Sequence, residues 1–205
     1  MAEIAAIGMS APPETAPPAA PERLEFDIVP RKGLILVAIV FVGLIVAIAV
    51  NELWPLVFLH VSFGAAWTII DLFLGLVLGP IMGSMPPAAR TAFTIRLMPK
   101  MLLIMPVVVT VTLAAGWQLG QFLGTVSSDH PDHGWIVASY IVVGVMAIIA
   151  LGLLEPANVA VLVELKKPRP NPIVIQRLMK RFIYSAGVIG VMQVATLVIM
   201  TKLAS

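Results

Sequence analysis

Cysteine is absent from this chain of 205 residues, and charged residues are scarce at 12% of the total. Without cysteine the chain can form neither disulfide bonds nor thiolate metal sites. The low charge excludes a water-soluble globular domain, in which about a quarter of the residues would be charged. Histidine is also rare, with three copies. We therefore expect an integral membrane protein whose few polar residues are informative.

Apolar residues make up 60% of the chain, and the mean hydropathy is +1.01. A helix that crosses the hydrocarbon core of a bilayer needs about 20 mostly apolar residues. Five segments satisfy this requirement, at about 33–50, 56–78, 101–123, 135–154 and 182–200. The sequence therefore predicts an all-α fold, a polytopic membrane helix bundle with five transmembrane helices in one domain, residues 31–205. The glycines inside these segments predict close helix packing, at Gly75, Gly79, Gly116, Gly120, Gly187 and Gly190.

Residues 1–30 differ from the rest because they are rich in alanine and proline and hold five of the eleven acidic residues. A segment of this composition buries too little apolar surface to fold, so we expect a disordered tail. A signal peptide would begin with basic residues, whereas the first cation of this chain is Arg23. The tail is therefore predicted to be retained and to lie in the cytoplasm.

Lysine and arginine are distributed unevenly between the predicted loops. If the N-terminus is cytoplasmic, twelve of the thirteen cations lie inside and Lys202 alone lies outside. The inside cations are Arg23, Arg31, Lys32, Arg90, Arg96, Lys100, Lys166, Lys167, Arg169, Arg177, Lys180 and Arg181. This bias predicts an N-in, C-out topology in the bacterial inner (cytoplasmic) membrane, with Trp54, Trp117 and Trp135 near the outer interface. It also explains the isoelectric point of about 9.2 without a nucleic-acid partner.

His60 and Asp71 interrupt the apolar run of the second predicted helix. They are eleven residues apart, which is about 1100° of helical rotation and about 16 Å of rise, so they share one face. Gly64 and Trp67 fall between them on that face. Ionisable groups in hydrocarbon are rare and point into the bundle. We therefore regard His60 as a candidate ligand and Asp71 as a candidate proton-relay residue. The simpler interpretation is that a neutral His60 and a protonated Asp71 form hydrogen bonds to neighbouring helices.

The third predicted helix offers polar neighbours for this face. Gln118 and Gln121 are level with His60 and complete the set of proton-relay candidates. Pro106 is close to the depth of Asp71 and, having no N–H, frees the backbone oxygen of Leu102. That oxygen is therefore a candidate acceptor for a protonated Asp71.

The predicted outer loop, SSDHPDHG at residues 127–134, concentrates the remaining candidate ligands. It holds His130 and His133, with Asp132 between the two histidines and Asp129 directly before the first. Imidazole with carboxylate suits copper or zinc. A turn at this loop would bring these side chains to one ion, with His60 or Asp129 completing the set. A solvated polar turn without metal is the simpler interpretation of the same residues.

Two stretches resemble a known family. FLHVSFGAAWTIIDLFLGLVLGPIM, residues 58–82, resembles the Leu-His…Trp helix of the superfamily that holds copper-resistance CopD domains and HemJ-type protoporphyrinogen oxidases. The segment RTAFTIRLMPKMLLIMPVVVTVTLAAGWQLG, residues 90–120, is similar to the family's next loop and helix. The resemblance implies that His60 ligates haem b or copper. Because no second histidine lies within a predicted helix, a haem held by two histidines is not expected.

Three functions remain open at this point. The first is a haem or copper site centred on His60, on the outer side, used in metal handling or electron transfer. The second is a non-catalytic accessory subunit of a larger membrane complex, with other membrane subunits or further copies of itself as partners. The third is a proton or small-solute permease that uses Asp71. Enzymatic activity is the less favoured alternative in all three.

Overall fold

The computed structural model describes residues 26–205, and helix accounts for 85% of them, with no strand among them. The five long helices are α1 (Arg31–Val50), α2 (Leu53–Ser84), α3 (Pro87–Phe122), α4 (His133–Leu165) and α5 (Pro172–Leu203). Each is long and apolar enough to cross a membrane. The all-α class and the number of apolar helices are therefore confirmed.

Three of the helices extend well beyond the apolar segments predicted from the sequence. α3 begins at Pro87 rather than near Met101, α4 continues to Leu165 rather than ending at 154, and α5 begins at Pro172 rather than near 182. Hydropathy detects the part of a helix that fits lipid, whereas backbone hydrogen bonding continues through polar residues. At the start of α5, the Asn171 side-chain oxygen accepts hydrogen bonds from the backbone of the first turn.

Two of the helices contain a widened, π-helical turn. In α2 it spans Phe73–Leu78, and in α4 it spans Ala150–Leu154. Each lies just before a proline, Pro80 or Pro156. A proline lacks the N–H that a helix interior needs and its ring crowds the carbonyl four residues earlier. The wider turn accommodates the ring without ending the helix.

Neighbouring helices alternate in direction, which gives the bundle two distinct ends. The start of α1, the α2–α3 turn and the α4–α5 turn meet at one end, called here the basic end, which holds Arg31, Arg90 and Lys180. The opposite end, called here the histidine end, holds His60 and His133 and the loop between α3 and α4.

α2 lies between α3 and α5, while α1 packs on α3 and α4 packs on α5. The fully enclosed side chains include Trp67, Met105 and Phe182. α2 and α5 approach most closely at Gly75 and Gly187, where a Cβ atom on Gly75 would lie 2.5 Å from the Gly187 Cα atom. This approach requires a glycine at residue 75, whereas a Cβ atom on Gly187 would lie 3.5 Å from the Gly75 Cα atom, an ordinary contact distance. The predicted role of these two residues in close helix packing is confirmed.

The predicted tail, residues 1–30, lies for the most part outside the described residues. Residues 26–30 are not helical. Phe26 packs against the core, and the ammonium group of Lys166 lies 4.6 Å from the centre of its ring. A cation over an aromatic face is an attractive pair, so the end of this segment contacts the basic end of the bundle.

Candidate functional site

His60 is half-buried in the first half of α2 and faces α3. Its Nδ1 atom lies 2.9 Å from the backbone oxygen of Thr112. A carbonyl oxygen only accepts hydrogen bonds, so Nδ1 carries the proton and donates it. In the neutral ring Nε2 then keeps its lone pair. Nε2 forms no hydrogen bond with any residue from 26 to 205, and it is not sealed inside the protein.

The His60 ring fits against α3 because residue 116 is a glycine. A Cβ atom at Gly116 would lie 2.6 Å from both Nδ1 and Cε1 of the ring, which is closer than real Cβ contacts. Thr112 and Gly116 are one helical turn apart, so the same turn of α3 supplies the acceptor and the space. This arrangement fixes the tautomer and the orientation of the imidazole, as the hydrogen-bonding partners of metal-ligating histidines do.

The loop at the histidine end does not form a compact ligand set with His60. His130 Nδ1 accepts a hydrogen bond from the backbone N–H of Asp132 at 3.1 Å. Nδ1 of His133 is enclosed and has no partner among the described residues, and Asp129 is exposed. Within residues 26–205, no group of three or more histidine, aspartate or glutamate side chains is placed to hold a metal ion. The copper site built from His60 and the loop stays a prediction.

Asp71 is fully enclosed, with 0% of its surface exposed, and faces α5. Its Oδ2 atom accepts a hydrogen bond from Nε2 of Gln193 at 3.3 Å. The Thr68 hydroxyl lies within hydrogen-bonding reach of the Gln193 side-chain oxygen and, at 2.9 Å, of the Gly64 backbone oxygen. The sequence-based choice of the Leu102 oxygen as the partner of Asp71 is wrong. α5 supplies the partner instead.

Two polar atoms beside this network lack hydrogen bonds to any described residue. They are Oδ1 of Asp71 and Nε1 of Trp67, which is 2% exposed. Trp67 precedes Asp71 by four residues, or about one helical turn. The indole N–H of Trp67 is a donor, the carboxyl oxygen of Asp71 is an acceptor, and the two side chains lie close enough to interact. A small side-chain movement would therefore satisfy both atoms without any further group.

The two glutamines proposed for a proton relay are directed elsewhere. Gln118 donates a hydrogen bond at 2.8 Å to the side-chain oxygen of Asn51, the residue that ends α1. Gln121 is exposed. Neither forms a hydrogen bond with His60, whose Nδ1 contacts the Thr112 backbone oxygen. The glutamines therefore lie at the histidine end without extending the network of Asp71.

Glu155 and Asn158 are two further polar residues inside α4. The sequence placed Glu155 at the inner boundary of the fourth predicted helix, which is wrong because the helix continues to Leu165, and it did not single out Asn158. Both carboxyl oxygens of Glu155 are enclosed and lack partners among the described residues. When its amide is oriented to satisfy both ends, Asn158 donates to the Met98 oxygen at 3.3 Å and accepts from the Leu102 N–H at 3.1 Å. The sequence feature that could have indicated this contact is the single amide side chain, Asn158, in the apolar stretch ANVAVLV. Such residues commonly join membrane helices.

Comparison with known proteins adds no identification. No protein-family model, curated protein or solved structure is significantly similar to this chain.

Proposed function

We propose that this chain is a multi-pass protein of the bacterial cytoplasmic membrane, with its N-terminus and the basic end in the cytoplasm. Five apolar helices support insertion, and the distribution of twelve of thirteen cations supports the orientation. Trp54, Trp117 and Trp135 are exposed and fall at helix ends away from the basic end. Indole rings at that level suit the outer interface.

We further propose that His60 holds haem b near the outer side for electron transfer or metal handling, as in the CopD and HemJ superfamily. The observation that carries this proposal is the fixed tautomer of His60, with Nδ1–H on the Thr112 oxygen and Nε2 free. A hydrogen bond at Nδ1 raises the basicity of Nε2 and orients it. Haem would supply reversible one-electron chemistry. It needs one strong protein ligand, which favours it over a copper ion that would require the loop histidines as well.

The test is a visible absorption spectrum with metal analysis on gently purified protein. We expect a Soret band that His60→Ala abolishes. His133→Ala is a matched control because it removes an imidazole from the same end of the bundle. It should leave a haem band unchanged.

Two other outcomes distinguish the alternatives. If copper is bound, and both His60→Ala and His133→Ala remove it, the composite metal site replaces the haem site. Folded protein that is colourless and metal-free would refute the cofactor proposal and favour the accessory-subunit function, which predicts co-purification with other membrane chains.

A second candidate function is proton transfer through Asp71. It is favoured by the full enclosure of the Asp71 carboxyl group, of which only Oδ2 is used in the hydrogen bond from Gln193. An ionised aspartate in a bilayer costs about 2.5–3.5 kcal/mol on insertion scales, so such residues commonly mark ion or proton pathways. The test is proton flux into proteoliposomes. Asp71→Asn should abolish the flux, whereas the exposed residue Asp129→Asn should not, and equal flux in all three proteins would eliminate this function.

A further inference from the structure

A long groove of about 870 Å³ runs between α2 and α5 in the half of the bundle nearer the basic end. It lies outside the histidine site and is lined mostly by apolar side chains and glycines. Along α5 its lining extends from Gln176 to Met192, which is about 24 Å of helix. One leaflet with its headgroup layer is roughly 20 Å thick, so the groove matches the depth of a single leaflet.

The groove is polar at one end only. Arg90, Gln176 and Lys180 line it at the basic end, and no acidic residue is among its lining residues. Arg90 is held in place because its Nε and Nη2 atoms donate to the backbone oxygens of Met82, Gly83 and Met85. Its Nη1 atom is not used in those bonds. Neither Arg90 nor Lys180 forms an ion pair with another residue in the described part of the chain.

The floor of the groove explains why it remains open. Gly75, Gly79 and Gly83 recur at four-residue spacing on one face of α2, a pattern that usually seats a neighbouring helix. α5 already occupies most of this face, since Gly75 contacts Gly187 and a Cβ atom on Gly79 would lie 2.8 Å from Ile183 Cγ2. Gly83 alone of the three has open space around it. A second helix would therefore find little of the stripe free, whereas flexible chains fit a shallow apolar floor.

We propose that this groove binds one anionic phospholipid of the cytoplasmic leaflet. Its phosphate contacts Lys180 and Arg90, and its acyl chains lie along the apolar floor towards Gly187. Cationic pockets between helices on the cytoplasmic side select anionic headgroups. The inference goes beyond the proposed haem function, but it rests on the proposed membrane insertion and orientation.

The experiment measures lipid retention by the full chain. Protein is placed in nanodiscs of equal parts phosphatidylglycerol and phosphatidylcholine, extracted into mild detergent, and examined by native mass spectrometry. We expect one retained phosphatidylglycerol per chain. Lys180→Gln should lower retention roughly fivefold, the effect of one cation at an anionic lipid surface. The matched control is Arg177→Gln, which removes a cation at the same end of α5 but outside the groove lining.

A second variant tests the floor rather than the charge. Gly83→Leu should fold because the position is open, and its side chain would fill the groove and expel the lipid. Equal losses in Lys180→Gln and Arg177→Gln would indicate a diffuse basic surface and overturn the site. A covalent dimer formed by the single-cysteine variant Tyr184→Cys, in a chain that has no other cysteine, would overturn the lipid in favour of a second copy.

The failure of this proposal is distinguishable from failure of the others. Colourless protein that retains phosphatidylglycerol would refute the haem site and leave the groove proposal standing. Haem-bearing protein that retains both lipids equally would refute the groove proposal alone. Protein that does not enter nanodiscs would refute both, through their shared premise of membrane insertion.

Discussion

His60 and Asp71 lie on the same helix and were predicted on the same face, yet they occupy different environments. His60 is half-buried and bonds to a backbone oxygen of α3. Asp71 is enclosed and bonds to a side chain of α5. The backbone oxygen that bonds to His60 cannot be removed by substituting a side chain. Its hydrogen bond uses only Nδ1, so Nε2 of the imidazole remains available. A side-chain partner in a closed network fixes Asp71 and couples it to the α2–α5 packing.

The difference teaches that a shared helical face need not mean a shared site. α2 crosses between α3 and α5, so successive turns of one face meet different helices. The position of His60 depends on the α2–α3 contact, and that of Asp71 depends on the α2–α5 contact. Substitutions that disturb one contact should therefore leave the other in place.

The largest effect is expected for Gly75→Ala. The added Cβ atom would lie 2.5 Å from the Gly187 Cα atom, and backbone cannot move aside as a side chain can. We expect a loss of about 1–3 kcal/mol in the free energy of unfolding, measured by titration with sodium dodecyl sulfate. Gly144→Ala is the control, because its Cβ atom meets nothing within 4 Å. Equal stability of the two variants would contradict the backbone contact.

Gln193→Leu should have the next largest effect, because it leaves the Asp71 carboxyl group without its partner. We expect a loss of about 1–2 kcal/mol by the same titration. Replacing both partners should be less harmful than the sum of the single losses, since neither the carboxyl group nor the amide is then left without the other. The double variant Asp71→Leu with Gln193→Leu tests this, and strictly additive losses would show that the two side chains are not coupled.

Gly116→Ala should affect His60 without a comparable loss of stability. The new Cβ atom would displace the imidazole ring, which can swing away because it is a side chain. We expect the Nδ1–H bond to the Thr112 oxygen to be lost, as seen by nitrogen NMR of the histidine ring. Haem affinity, where haem is bound, should fall about tenfold. An unchanged ring spectrum would show that His60 is not held by this turn of α3.

The smallest effect is expected for Gln118→Ala. Its hydrogen bond to Asn51 lies at the exposed end of the bundle, and surface substitutions usually change stability by less than about 0.5 kcal/mol. Neither the His60 ring spectrum nor the Asp71 network should respond. A loss of cofactor or of proton flux in this variant would contradict this expectation and would show that Gln118 takes part in the proton relay.

The sequence was sufficient to predict the helices but not all of their partners. Long apolar runs are a local property, so five helices and their approximate positions could be found without a structure. The start of α3, the end of α4 and the start of α5 could not be found in this way. Hydropathy does not detect helix in the more polar segments 87–100, 155–165 and 172–181. Asn158 was missed for a different reason, because its hydrogen bonds depend on the turn of α3 that faces it.

By itself the sequence determined the class of the protein, the number of its apolar helices and the residues available for chemistry. It also placed His60 and Asp71 on one face, because helical geometry fixes that relation between residues of one helix. Only the tertiary structure decided that His60 meets Thr112 and Gly116 while Asp71 meets Gln193. Those pairings depend on which helices cross, and crossing is set by close packing between small residues far apart in the chain.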